Sequence, residues 1–323
     1  MLLELQLNYL LWLQDLRTTS HEYFTLLFFY ITSFGEYFIP IMTCAIIYWC
    51  IDKKLGALLI LNSACSLMIN QLLKSMACIA RPWVLDNRIK PADIALPHAG
   101  GYSFPSGHSA LAVACWGAIG LWYKNNKKIL FSAIILCLMI AFSRNYLGVH
   151  TLQDIIIGLI ISFIILIISY KLLNWCETKK NRDFILVLSV SAISIIITIY
   201  TYLKSYPTIQ DPLNNFISNT EHSKWAALPK LGFVLGSFWG WYFERNFIKF
   251  NPQYGNLKTK IIRLIVGFIL FIPLTLYAKI LLRYCFGKHI NSFLYMLVVS
   301  LFITLIYPWI ITKIKLLKTT SEK

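Results

Sequence analysis

The chain has 323 residues, 58% of them hydrophobic and 14% charged, with a mean hydropathy of +0.63 and a formal net charge of +16. A soluble domain carries about 25% charged residues, and several apolar runs here reach the roughly 20 residues needed to cross a bilayer. Composition therefore excludes an ordinary soluble protein and predicts an all-α fold, a polytopic transmembrane helical bundle. The positive charge does not point to nucleic acid, because the lysines and arginines cluster between apolar runs, as they do in cytoplasmic loops.

Residues 1–17 mix Leu and Trp with Glu4, Gln6, Asn8, Gln14 and Asp15, which predicts an interfacial helix within an N-terminal segment 1–22. No basic n-region or small-residue cleavage site marks a removable signal peptide there. About nine spans follow, at about 23–50, 55–73, 107–123, 129–143, 151–170, 184–203, 229–243, 264–282 and 291–312. The seventh is short, holds Pro229 and Lys230, and carries Gly232, Gly236 and Gly240 at a spacing that lets a neighbouring helix approach closely. The longest loops are 83–104 and 204–227. Residues 23–173 form a core that carries every chemical motif, and 183–323 form a C-terminal transmembrane extension with no chemical reading of its own. The eight cysteines show no CxxC or metal-like spacing and read as packing residues.

Orientation follows from charge. With the N-terminus outside, 18 of the 30 lysines and arginines fall on cytoplasmic segments, and three of the other 12 belong to the motifs described next. The positive-inside rule then predicts an integral plasma-membrane protein, N-terminus out and C-terminus in, with the motifs on the extracytoplasmic side.

Three motifs stand in order: Lys74-x6-Arg81-Pro82, Pro105-Ser106-Gly107-His108, and Ser143-Arg144-x5-His150-x3-Asp154. His150 and Asp154 are one helical turn apart and share a face. An Asp accepting the Nδ1 proton leaves Nε2 free to act as nucleophile or base. The plain alternative is a pair that only ties two helices together, although an ionisable Asp inside a span is costly and usually functional. Lys74, Arg81 and Arg144 each read singly as interfacial cations that snorkel. Together, beside two histidines, they suit a phosphoryl group, whose transferred charge spreads over three oxygens. In the second motif, Pro105 suits a first helical turn, Gly107 allows close backbone approach, and the free N–H groups make an anion site. Ser106 adds a hydroxyl, and His108 stands where it can protonate a leaving oxygen and later activate water. Its alternative is a capping histidine. Ser106 as a nucleophile would want a G-x-S-x-G elbow, which is absent from this stretch.

These eleven positions resemble the signature of the type 2 phosphatidic acid phosphatase superfamily, which also includes vanadium haloperoxidases. The resemblance covers roughly residues 20–173. It implies that His150 attacks phosphorus and becomes a phosphohistidine, and that Asp154 orients it. It further implies that Lys74, Arg81, Arg144, Ser106 and the Gly107 amide hold the phosphoryl oxygens and that His108 protonates the departing group, with no metal and no cofactor. The function so implied is hydrolysis of a lipid phosphate or diphosphate at the membrane. Arg88 and Lys90 could meet a second phosphate, though a solvated basic loop explains them as well; His98 receives no role. The rival readings are an undecaprenyl-diphosphate phosphatase specifically, a vanadate-dependent haloperoxidase, and a non-catalytic lipid transporter on the same scaffold.

Overall fold

The computed structural model describes residues 1–209 and 220–314, and among these residues there is no strand. The helices are α1 (Leu2–Thr19), α2 (Tyr23–Ser33), α3 (Phe38–Cys50), α4 (Lys53–Ala77), α5 (Pro82–Leu85), α6 (Gly107–Ala112), α7 (Ala118–Trp122) and α8 (Lys127–Tyr146). After them come α9 (Leu152–Thr178), α10 (Arg182–Leu203), α11 (Thr220–Trp225), α12 (Leu228–Phe243), α13 (Leu257–Leu301) and α14 (Tyr307–Lys313). A π turn, Val113–Gly117, joins α6 to α7. Local chemistry sets the starts. Asp52 accepts the Lys54 and Leu55 N–H groups at the head of α4 (2.8 and 3.1 Å), and Asn126 and Asn256 cap α8 and α13 in the same way.

Among the described residues, five helices are long and apolar enough to cross a membrane, or six if the bent pair α2–α3 counts as one span. The 23–50 run, expected as continuous, is two helices at 41°, broken at Phe34-Gly35-Glu36-Tyr37. The stretch Leu257–Lys313 counts once among the five, yet Gly287 within it has φ 72° and ψ −179°, outside the helical region. It therefore separates two lengths, each on the scale of a bilayer. The α6–α7 run and the 16-residue α12 are shorter.

The chain divides into two compact units. One contains the described residues of 1–40, 69–166 and 200–226. In it α1, α2, α6 and α7 pack on α8. The loop between α5 and α6 is folded over a small core of Trp83, Ala92, Ala95, Ala99, Tyr146, Leu147 and Val149. Helix α1 buries Gln6, Leu10, Leu13 and Arg17, one face at helical spacing. Leu10 and Leu13 enclose Ile89. Arg17 donates to the Tyr146 and Lys90 carbonyls, Gln14 bonds the backbone of Arg88 and Lys90, and Gln6 accepts from Gln153 N. The polar residues that give α1 its interfacial composition thus include the ones that clamp the loop.

The other unit contains the described residues of 41–68, 167–199 and 227–314. Gly232, Gly236 and Gly240 of α12 lie against Phe293, Leu297, Ser300 and Thr304, and a Cβ on Gly236 would fall 2.0 Å from Ser300 Oγ. The close neighbour expected from the glycine stripe is the chain's own α13 and the turn after it. Buried Glu244 is satisfied by Tyr48 OH (2.9 Å), Lys53 Nζ (2.8 Å) and Phe250 N (2.7 Å), as a buried charge requires. No disulfide joins any of the eight cysteines.

Candidate active site

The third motif is shaped by two local devices. Gly148, at φ 72°, turns the chain out of α8, and a Cβ there would lie 3.1 Å from Pro91 Cα. Three residues later Thr151-Leu-Gln-Asp154 forms a capping box at the start of α9. Thr151 N donates to Asp154 Oδ2 (2.8 Å), and Asp154 N donates to Thr151 Oγ1 (3.4 Å). The same Oδ2 accepts from Ser103 Oγ (2.5 Å) and lies 3.3 Å from His150 Nδ1. His150, Asp154 and Arg144 are all at most 2% exposed.

Partners fix the imidazole's tautomer. Arg81 Nη1 is 2.9 Å from His150 Nε2, and a guanidinium can only donate. Nε2 is therefore an acceptor, and Nδ1 carries the hydrogen that faces Asp154. Burial first, and then the charges of Arg81, Lys74, Arg144 and His108, hold the His150 pKa well below its usual value. The resting imidazole is neutral, with its lone pair directed at cations.

Those cations come from three elements. Lys74 at the end of α4 donates to the Tyr102 and Ser103 carbonyls (2.7 and 3.1 Å). Arg81, leading into α5, donates to the carbonyls of Gly100, Gly101 and Val149 (2.9, 3.0 and 2.8 Å). Arg144 donates from Nη1 to Thr32 Oγ1 (3.1 Å), while its buried Nε and Nη2 have no hydrogen-bond partner among the described residues. A buried arginine with an unused edge can accept an anion.

The second motif is held against α9 by a stripe at spacing four. Ser106 N donates to the Asp154 carbonyl (2.9 Å), Gly158 packs on the Ser106 backbone, and Ser162 Oγ donates to the Ala110 carbonyl (2.7 Å). Ser106 caps α6, accepting from Ser109 N. A Cβ on Gly107 would meet only Asn70 Oδ1, at 3.7 Å. His108 Nε2 is buried without a hydrogen-bond partner among the described residues and lies 3.8 Å from Glu36 Oε1.

The expected residues Lys74, Arg81, Ser106, Gly107, His108, Arg144, His150 and Asp154 all belong to this one unit, and Lys74, Arg81, Arg144 and His108 all act electrostatically on His150. Ser143 does not join them through its hydroxyl, which bonds back to the Ile140 carbonyl. Arg88 also stands apart, exposed and gripped by Asp86 through contacts of 2.7 to 3.2 Å.

A model of the PAP2 superfamily matches residues 55–177, and a model of the PAP2 superfamily phosphatase transmembrane extension matches residues 229–320, together about two thirds of the chain. The chain belongs to the PAP2 superfamily. Among curated proteins this PAP2 chain is 26% identical over 157 residues to an undecaprenyl-diphosphatase of Sulfolobus acidocaldarius, covering 48% of the chain and 74% of the relative. It is 28% identical over 122 residues to phosphatidylglycerophosphatase B of Bacillus subtilis strain 168, covering 34% of the chain and 56% of that relative. The chain thus spans little more than half of the second protein. No solved structure matches it.

Four residues in contact with the candidate site carry no motif in the sequence. Thr32 and Glu36 lie in the α2–α3 region, about seventy positions or more before the groups they meet, with no local pattern to flag them. Ser103 sits just outside the second motif. His98, given no role, pairs through Nδ1 with Glu36. The capping box around Asp154 was not read either, although Thr151-x-x-Asp154 carries its pattern.

Proposed function

We propose that this PAP2 protein is an integral membrane phosphatase that removes a phosphate from a lipid phosphomonoester or diphosphate, through a phosphohistidine, on the outer face of the membrane. The observation that carries the reading is His150, with Nδ1 on Asp154 and the Nε2 lone pair among fixed cations. In the forward step Nε2 forms a bond to phosphorus as the P–O bond to the lipid breaks. His108 gives a proton to the departing oxygen. Neutral His108 then takes a proton from water, the water oxygen bonds to phosphorus, and the P–N bond breaks to release inorganic phosphate and restore His150.

Lys74, Arg81, Arg144, Ser106 and the Gly107 amide hold the phosphoryl oxygens. Because a guanidinium rests on Nε2 in this structure, Arg81 must transfer that hydrogen bond to the substrate as the nucleophile engages. The cradle is built from cations and N–H donors, so the proposed chemistry uses no metal. Among the described residues no group of three His, Cys, Asp or Glu side chains could hold one.

The outward orientation is supported by the long helices taken singly. α4 begins with Lys53 and Lys54 and carries Lys74 in its last turn. α9 begins beside His150 and ends 27 residues on, about 40 Å away, before Lys179 and Lys180. The motifs and the basic loops thus occupy opposite ends of the same helices. The domain reading proposed is an N-terminal segment 1–22, a phosphatase core 23–173 and a transmembrane extension 183–323. The short α6–α7 run, α12 and the two lengths on either side of Gly287 would bring the spans to about nine.

The names of the relatives put polyprenyl diphosphate and phosphatidylglycerol phosphate first among candidate substrates. The test is phosphate release from a panel of lipid phosphates by the full chain in detergent, with alkaline quench to trap an acid-labile phosphoenzyme. Release by the wild type, with loss of the phosphoenzyme in His150→Ala, is expected. No release from any lipid phosphate would overturn the proposal.

A further inference from the structure

The turn between α2 and α3 lies against the second and third motifs at several points. Thr32 Oγ1 accepts from Arg144. A Cβ on Gly35 would lie 3.0 Å from the His108 carbonyl and 2.6 Å from Ile140 Cγ2, so only glycine lets this backbone sit so close. The Phe34 carbonyl accepts from Trp116 Nε1 at 2.8 Å. Glu36, which follows Gly35, places one carboxylate oxygen, Oε1, between two histidines, paired with His98 Nδ1 and 3.8 Å from His108 Nε2.

Resting on the phosphatase reading, we infer that Glu36 is a positioning residue for the acid–base histidine His108: its carboxylate directs the imidazole and stabilises the protonated form that gives its proton to the departing lipid oxygen, while His98 holds the carboxylate in place.

Three observations support this assignment. A carboxylate only accepts, so His98 must donate from Nδ1 to Oε1. That donation anchors Oε1 from the loop side, and Phe29 packs edge-on against the His98 ring, with centroids 5.7 Å apart. Among the described residues, the other ionised groups that act on His108 are positive, Arg144 from α8 and Arg81 from the head of α5. Two cations oppose an imidazolium, and a general acid must be one, so an anion is needed on its other side. Glu36 is the carboxylate that stands there. A contact of 3.8 Å is too long for a hydrogen bond and close enough for charge stabilisation, with the His108 side chain 14% and the Glu36 side chain 28% exposed. Nε2 therefore stays available to the leaving oxygen while the carboxylate acts on the ring through space.

The test compares leaving groups. An alkoxide leaving from a lipid needs protonation, whereas a nitrophenolate does not. In Glu36→Gln, turnover of a lipid phosphate should fall about 10- to 100-fold, part of the effect of a general acid, while turnover of p-nitrophenyl phosphate changes less than about threefold. Removal of the anion disfavours imidazolium, so the alkaline limb of the lipid pH–rate profile should move to lower pH. Glu36→Asp should recover part of the loss, and His98→Gln should show a weaker form of the same pattern. Equal losses on both substrates, an unmoved alkaline limb, or unchanged lipid turnover would overturn the assignment. A wild-type chain inactive on both substrates would instead remove the phosphatase reading, and this one with it.

Discussion

Gly158 lies outside every signature motif, yet replacing it should slow the reaction. A Cβ at this position would lie 2.8 Å from the Ser106 carbonyl oxygen, 3.2 Å from Ser109 Cβ and 3.4 Å from Ser106 N. Ordinary contact begins near 3.4 Å, so Gly158→Ala must push the two backbones apart by about 0.6 Å. Neither can give by rotating a side chain, because the obstacle is main chain. The bonds from Ser106 N to the Asp154 carbonyl and from Ser162 to the Ala110 carbonyl must stretch with them. Overpacking of this kind destabilises by about 1–3 kcal/mol. A misplacement of about 1 Å in a reacting assembly lowers rate by about 100-fold, so about 0.6 Å corresponds to roughly tenfold. The shift separates Ser106 and His108, at the head of α6, from His150 and Asp154, at the head of α9. The assay is phosphate release at saturating lipid phosphate, with thermal melting in detergent alongside. A variant that melts measurably lower but turns over at the wild-type rate would refute the claim that this packing positions the phosphate loop.

His150→Ala should reduce turnover by several orders of magnitude with normal membrane insertion, and near wild-type phosphate release in that variant would remove His150 from the mechanism. Asp154→Asn should be severe in rate and should also cost about 1 kcal/mol in stability, since it disturbs a helix cap as well as a tautomer; chemical denaturation would measure the second part. Catalysis should survive excess EDTA and be inhibited by vanadate, a mimic of the phosphoryl transition state; loss on chelation, restored by Mg²⁺, would contradict the cationic cradle. The depressed His150 pKa keeps the nucleophile neutral below the ordinary histidine range, so the acid limb of the rate should fall below about pH 6.5. By the same shift the unfolded chain takes up a proton near pH 6.5 that the folded chain refuses, so stability should decline as pH drops through that value; a melting temperature flat from pH 7.5 to 5 would count against it. Finally, with native cysteines replaced, a cysteine at Asn87 should react with an impermeant maleimide in intact cells, and one at Asn125 only after permeabilisation. The reverse pattern would overturn the orientation.

Much of the candidate site's local geometry was legible because its residues come in short strings whose spacing is local. His150 and Asp154 share a helical face, and the Ser106–His108 string forms one helix start. The cations were legible as types, but their partners were not. Arg144 meets Thr32 and His108 meets Glu36 across long sequence separations, and such pairings arise from packing, which no periodicity encodes. The run 23–50 illustrates the same limit for the fold. Its hydrophobicity is continuous enough for one helix, but Gly35 needs contact distance to His108 and Ile140, and the chain bends there. The glycines of α12 were recognisable as a close-approach surface, while the identity of the approaching helix required the fold.

One oxygen of Asp154 accepts from the backbone that starts α9, from the Ser103 hydroxyl, and faces the imidazole of His150. Structural integrity and reactivity therefore share a single atom. On the proposed mechanism, a thermal excursion that frays the first turn of α9 would disarm His150 while the rest of the bundle stays folded. Heating should accordingly silence the protein reversibly, at temperatures below those at which it melts.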